Sequence, residues 1–508
     1  MILRLILGDQ LNYLHSWLAP TNSKVLYCMF EMKQETEYAV HHIQKVVGFF
    51  KAMRSFAAYL EKQGHTVIYY TLSNSENKQT LEANLNQLIQ KHSITKFEYQ
   101  LPDEYRLDKQ LNRFVESIDI PSEKYDTEHF YTDRNELRNF FHDKKLSVME
   151  SFYQNMRKKY SILMDKEQPV GGKWNYDKSN RKKWTYQTLA PNTLFFKHDV
   201  TELLKEIQNE DIVTIGKINP KYFDYPINRD EALQQLNYFI DNLLEHFGDY
   251  QDAMHTENTY LFHSRISFAL NTKMIHPKEV VNKVEKAYRS NSGIEISQAE
   301  GFIRQIVGWR EFMRGMYWKN MPEFKNENFF HHKNQLAEFF WTGKTKMNCV
   351  KVCVQNSLEN GYAHHIQRLM VLGNLMLLLK TDPKEVDQWF LGIYIDAIEW
   401  VQLTNTRGMS QYADGGNIAT KPYVSSANYI QKMSNYCESC FYDKKTKTEN
   451  NSCPFNSLYW NFLLDTKNLL QNNQRMSMMF MLLSKIKEEE VAKIKQRAEK
   501  IINNPEDY

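Results

Sequence analysis

Cysteine is scarce in this chain, with six in 508 residues. That scarcity excludes a disulfide-stapled scaffold and fits a reducing compartment, where thiolates serve as ligands or reactive groups. Net charge is nearly absent as well. At +3, the chain has no global field to draw in nucleic acid, so such a partner must meet a local basic surface. No apolar run is long enough to span a bilayer: the longest, residues 369–379, carries Gly373 and Asn374. Residues 1–7 are apolar but too short for a signal peptide, and Gly8-Asp9 ends them. These absences predict a soluble cytoplasmic protein that meets no membrane. There is no internal repeat, and the dinucleotide fingerprint G-x-G-x-x-G is missing. What is present is 42% hydrophobic and 13% aromatic residues, enough for packed cores in a chain too long for a single one.

The first part alternates two periodicities. Residues 2–7, 25–30, 66–70 and 96–99 read as strands, and residues 41–61 and 80–91 as helices. Strands alternating with helices predict a parallel sheet covered on both faces. Ligands of such sheets lie at the carboxyl ends of strands, so the loop Gly8-Asp9-Gln10 is a candidate site. Residues 131–220 are polar and basic. Lys173, Trp174, Tyr176, Lys178, Arg181, Lys182, Lys183 and Trp184 interleave cations with aromatics, a mixture that suits phosphate contact with stacking and equally suits a solvated connector. Beyond residue 228 the pattern is helical almost throughout, with segments at 231–247, 298–317, 360–380, 386–400 and 458–470. The expected organisation is an α/β domain over residues 1–130, a connector over 131–220 and a large all-α domain over 221–508.

Within the helical part, Cys349, the pair Cys437-Glu-Ser-Cys440, and Cys453 followed by Pro454 form a set that would complete four-thiolate ligation of zinc or an iron–sulfur cluster. Buried free thiols are the alternative reading. Two helices carry a second signal. His365, Arg368 and Leu369 share one face of a helix beginning at Gly361. Asp396 sits inside the next segment, which is apolar nearly all round, and an acid there is costly unless paired. Arg368 is its obvious partner, either as the wall of a cofactor site or as a structural lock between helices.

Taken together, these residues resemble the photolyase/cryptochrome family over essentially the whole chain, and the cysteine set resembles its iron–sulfur bacterial cryptochrome and photolyase branch, the prokaryotic (6-4) photolyases. The matching motifs, in family order, are Gly8-Asp9-Gln10-Leu11, Asn175-Tyr176-Asp177, Ser264-Arg265-Ile266-Ser267 through Asn271, Gly308-Trp309-Arg310-Glu311-Phe312, Gly361-Tyr362-x-His364-His365, Asn405-Thr406-x-Gly408-Met409-Ser410-Gln411 and the cysteines.

The resemblance implies FAD in the helical domain. Tyr250, Ser264, Arg265 and Ser267 would approach its phosphates, Arg368 and Asp396 would flank the ring, and Gln402 would face N5. It implies a [4Fe–4S] cluster on Cys349, Cys437, Cys440 and Cys453. It also implies an antenna, 6,7-dimethyl-8-ribityllumazine, near Asp9, Gln10 and Glu35. His365 would be the proton donor to the lesion, with Leu369 where some members carry a second histidine, and Met409 and Tyr423 would line the lesion pocket. Trp341 and Trp389 would carry electrons, and Phe390 stands where a tyrosine could have extended the relay. The implied function is blue-light repair of (6-4) photoproducts in UV-damaged DNA by a monomer. A blue-light receptor with the same cofactors is the alternative. A light-independent iron–sulfur nucleic-acid-binding module would explain the cysteines and the basic connector alone.

Overall fold

The computed structural model describes residues 1–142, 144 and 147–508. Five strands, β1 (Ile2–Leu5), β2 (Val25–Phe30), β3 (Thr66–Tyr70), β4 (Lys96–Gln100) and β5 (Ser122–Tyr125), pair in the order β3-β2-β1-β4-β5, all parallel. Because side chains alternate across a strand, Leu3, Leu5, Leu26, Cys28, Phe97 and Tyr99 point to one face. There they meet Leu81, Leu85, Leu107 and Leu111 of the helices Leu81–Lys91 and Tyr105–Ser117. Val25, Tyr27 and Met29 point to the other face and pack against helix α1 (Ile43–Lys62).

Helix α1 joins the two halves. His42 caps it, its Nδ1 accepting from the Gln44 N–H at 3.1 Å while Nε2 donates to the Leu358 carbonyl at 2.9 Å, far along the chain. One turn further in, Gly48 lets the helix lie against Ile395, Phe223 and Phe268. A Cβ there would meet all three at 3.1 to 3.2 Å. The sheet face under α1 and the helical half therefore share one continuous apolar core. The segment between them is more than a connector in its packing: the helix Met149–Tyr160 buries Phe152, Tyr153 and Met156 completely, and Glu311 accepts from the Tyr131 and Thr132 backbone N–H groups.

In the helical half, three expected helices are interrupted. The segment 298–317 contains a wider π turn at Arg304–Arg310, and the region around His365 contains another at Gln367–Gly373. Gly361, at φ +58°, ends the helix Asn348–Asn360 instead of opening the next one, which starts at His365. The expectation of one helix over 386–400 is corrected too. Pro383–Ile393 ends before Asp396, which lies in a turn before the short helix Glu399–Leu403. The reason is tertiary: the Ile395 N–H donates to the Gly361 carbonyl at 2.9 Å, and the Gly392 carbonyl accepts from the His42 N–H at 2.9 Å. Unbroken apolarity marks burial, and it cannot distinguish a buried helix from a buried turn.

Candidate active site and cofactor cavities

The turn at Asp396 and the helix start at His365 bring a bidentate ion pair together. Arg368 Nη1 and Nη2 donate to Asp396 Oδ1 and Oδ2 at 3.0 and 3.2 Å. Arg368 Nε donates to the Ala363 carbonyl at 2.6 Å, and Asn271 Nδ2 donates to the Asp396 carbonyl at 2.7 Å, so both partners are held from behind. The guanidinium lies 3.8 Å over the Tyr394 ring. Burial opposes the Arg368 charge, but Asp396 and Tyr394 outweigh it and hold its pKa above the ordinary value.

His365 shows what this pair faces. Its ring is open to a water-sized probe, yet desolvation pushes its pKa down to about 4, with Arg368 and His263 adding to the fall. His364 beside it is buried with its Nε2 unpartnered. His263 packs edge-on against His364 at 4.6 Å and bonds to the Tyr362 hydroxyl and the Gln251 carbonyl, both at 3.1 Å. The result is three neighbouring imidazoles, all held toward their neutral forms chiefly by burial. His263, Tyr362, Tyr394 and Asn271 escaped the sequence reading as site residues. Asp396 could have pointed to them only once its position in a turn was known.

Other expected residues surround this region. Gln402 is buried on Glu399–Leu403, and Met409 is buried in a third π turn, Thr404–Ser410. Tyr423 is half-buried on a segment tied to the His365 helix by Asn374, which donates to the Ser425 carbonyl at 2.9 Å. Arg265, in the left-handed region at φ +56°, reaches away toward Asp224 at 3.1 Å and the Leu194 carbonyl at 3.1 Å, between the Tyr260 and Tyr225 rings, and leaves its buried Nε without a partner. Ser264 and Ser267 flank it, half-buried. Tyr250 stacks on Phe262 at 5.2 Å, its hydroxyl 3.2 Å from Thr188 Oγ1, and no contact joins it to Arg265. Trp389 is fully buried, its ring 6.0 Å from Phe340 and 6.0 Å from Tyr394, while Trp341, beside Phe340, is 37% exposed. These rings span from the Arg368 neighbourhood to the surface, and Tyr394 stands nearer the ion pair than Phe390 does.

The cysteines converge from three elements. Cys349 opens Asn348–Asn360, Cys453 precedes Pro454–Leu470, and Cys437 and Cys440 lie on the intervening turn, fastened by Asn348 Nδ2 to the Tyr436 carbonyl at 2.8 Å. None is in a disulfide. Burial drives the Cys349 thiol well above its ordinary pKa, and Cys453, Cys437, Cys353 and Cys440 each push it further, which requires all of them to be near. Among the described residues no three His, Cys, Asp or Glu side chains close on a point as a single ion would need.

A cavity of 110 Å³ opens where the strand order reverses, lined by Gly8, Asp9, Glu35 and Glu104 at the carboxyl ends of the strands and by Ile398 of the helical half. Lys273 ties Asp9 to Asp103, with Nζ 3.2 and 2.9 Å from their carboxylates. Burial still lifts the Asp9 pKa to about 6. Arg106 bridges Glu35 and Glu104 at 2.7 and 3.0 Å. Gln10 faces inward instead, accepting from the Leu7 N–H at 3.0 Å and donating to the Gln100 carbonyl at 3.2 Å, so it locks the two strand ends that shape the cavity. The interleaved cations of the middle segment are engaged too: Lys182 pairs with Asp249 at 2.8 Å and Lys183 with Glu438 at 3.2 Å, both exposed.

Known proteins resemble this chain in sequence and in fold. A family model described as deoxyribodipyrimidine photo-lyase-related protein matches residues 4–223. A (6-4) photolyase of Agrobacterium fabrum is 40% identical over 482 residues, covering 93% of either chain. Among solved structures, a bacterial class III photolyase from Agrobacterium tumefaciens has a TM-score of 0.56 at 16% identity, over 85% of this chain and 86% of its own. A cryptochrome of Synechocystis sp. PCC6803 has a TM-score of 0.53 at 13% identity, over 92% and 93%. The two solved structures share the fold, and the near-full-length relative carries the kinship: this chain belongs to the photolyase/cryptochrome family, in its deoxyribodipyrimidine photolyase-related branch.

Proposed function

We propose that this protein is a DNA photolyase of the (6-4) type, reverting UV-induced (6-4) pyrimidine photoproducts under blue light. The observation that carries this reading is the bidentate Arg368–Asp396 pair close to His365 in the helical half. FAD held there would supply the light-driven electron. Arg368 and Asp396, fixed by Ala363 and Asn271, orient the ring by a charge pair that needs no rearrangement. Gln402 offers an uncharged amide beside it. Ser264, Ser267, Tyr250 and the unused Nε of Arg265 are the groups for the phosphates. Met409 and Tyr423 give a flipped lesion an apolar, stackable wall.

The part of His365 is to hold and deliver one proton. Burial, with Arg368 and His263, holds its pKa down at about 4, and the anionic DNA backbone would raise it on binding. Cys349, Cys437, Cys440 and Cys453 would hold a [4Fe–4S] cluster, supported by four neighbouring unpaired thiols. The sheet cavity with Asp9 and Glu35 would take 6,7-dimethyl-8-ribityllumazine as antenna. Trp341 and Trp389 would resupply electrons from the surface. The chain would act as a cytoplasmic monomer on damaged DNA. No helix among the described residues is long and apolar enough to cross a membrane.

The test is irradiation of a (6-4)-containing oligonucleotide with reduced, flavin-loaded protein under blue light. Restored thymines are expected. An untouched lesion beside light-induced flavin reduction would overturn the repair reading in favour of a blue-light receptor.

A further inference from the structure

Arg368 and Met409 each lie in a π turn, Gln367–Gly373 and Thr404–Ser410, a rare widening of the helix that gathers at functional sites. A single buried amide ties the two turns together. Gln411 Nε2 donates to the Gly373 carbonyl at 3.0 Å and to Ser410 Oγ at 2.9 Å. Their approach leaves no slack: a Cβ on Gly373 would overlap Ser410 Oγ and lie 2.9 Å from the Arg368 carbonyl, so any larger residue there must displace one turn or the other. A second buried group anchors the Met409 turn. Asp387, on the helix Pro383–Ile393, accepts from Thr406 Oγ1 at 2.5 Å and from Arg407 Nε, while Arg407 Nη1 donates to the Glu327 carbonyl at 2.8 Å. The N–H groups of Gln411 and Ala413 donate to the Thr406 and Arg407 carbonyls, both at 2.7 Å.

We propose that the two π turns form one rigid unit and that Gln411 and Asp387 are its positioning residues. They fix the spacing between Arg368, on the flavin side, and Met409, on the lesion side, and with it the discrimination of the (6-4) product from intact DNA. This rests on the repair reading of the site and adds that its two sides do not change separately. Gln411 follows the Met409 turn in the chain, but the carbonyl it holds ends the Arg368 turn. A displacement of either turn therefore reaches the other, and the coupling is reciprocal: what disturbs the lesion wall is also felt at the flavin.

The test uses FAD-loaded protein and reads both sides: Kd for a (6-4)-containing duplex and for the same duplex intact, by fluorescence anisotropy, and the visible circular dichroism of the bound flavin. Gln411→Leu should raise Kd for the lesion duplex about tenfold, leave that of the intact duplex within about twofold, and change the flavin dichroism while FAD stays bound. Asp387→Asn should act in the same direction, about threefold, because the amide keeps the shape and loses the charge that faces Arg407. A role confined to stability would lower Tm and weaken both duplexes alike, and that result would overturn the proposal. So would loss of lesion affinity with an unchanged flavin dichroism, since the turns would then move apart from each other. Gly373→Ala and Gln411→Leu strike one contact, so together they should cost little more than either alone, and additive losses would mean two independent turns. If Gln411→Leu does not fold, Gly373→Ala decides; if Asp387→Asn does not, Thr406→Val, which removes one donor to the same carboxylate, takes its place. Wild type that binds both duplexes equally removes the repair reading. The rigid unit is then judged by the flavin dichroism alone, which Gln411→Leu and Gly373→Ala must both change.

Discussion

Two regions of this molecule hold their polar groups in opposite ways. At the strand ends, fixed charges meet in bridges: Lys273 between Asp9 and Asp103, and Arg106 between Glu35 and Glu104. In the helical half one ion pair stands beside three imidazoles that desolvation keeps neutral. Bridged charges orient a ligand, and burial leaves one of them, Asp9, with a pKa of about 6. Neutral rings beside a guanidinium are where a proton can be taken up when an anion arrives and lowers its cost. The first arrangement suits holding a chromophore, the second suits chemistry.

The comparison breaks first at its foundation. Cys437→Ala should yield insoluble or flavin-poor protein if the four cysteines hold the proposed cluster, because assembly of such a cluster would couple to folding. Soluble, fully flavinated variant, measured by absorbance, would show the thiol set to be dispensable. Next, Asp396→Leu leaves Arg368 charged and unpaired in the helical half, at a cost of about 3–5 kcal/mol with loss of bound flavin. An unshifted thermal melt would mean that the pair does no more than a surface bridge.

At the junction of the halves, burial holds His42 at about 4 against an ordinary 6.5. The folded protein then binds fewer protons than the unfolded chain between those values, so stability falls as pH drops through the window and the whole loss is present below it, about 3 kcal/mol. His42→Gln should flatten that part of the stability profile, and parallel melting curves at pH 7 and pH 4.5 for both proteins would contradict it. The smallest expected energy change belongs to chemistry alone: His365→Asn should lower the repair rate about 100-fold with fold and flavin content unchanged. Equal rates in single-turnover irradiation would take the proton role from His365.

Much of the first half was legible. The strands Val25–Phe30 and Thr66–Tyr70 have the bounds that their apolar runs imply, while the expected strand 2–7 closes early, at Leu5. The edge strand Ser122–Tyr125 escaped, since its residues are polar and half-exposed and carry no apolar pattern. The helical site was legible as pairs of residues but not as local geometry. Arg368 and Asp396 were matched correctly, while the turn that delivers Asp396 and the π turn around Arg368 leave no periodic trace.

By itself the sequence determined the alternating sheet half, the helical half and the kinship carried by motifs in order, because periodicity and motif spacing are properties of a line. Only the tertiary structure decided that Arg368 closes on Asp396, that Asp396 lies in a turn, and that Lys45 lines the cavity at the strand ends. Each of those depends on burial and on hydrogen bonds from remote parts of the chain, such as Gly361 to Ile395 and Leu391 to Lys45, and desolvation has no signature until the surrounding walls are in place.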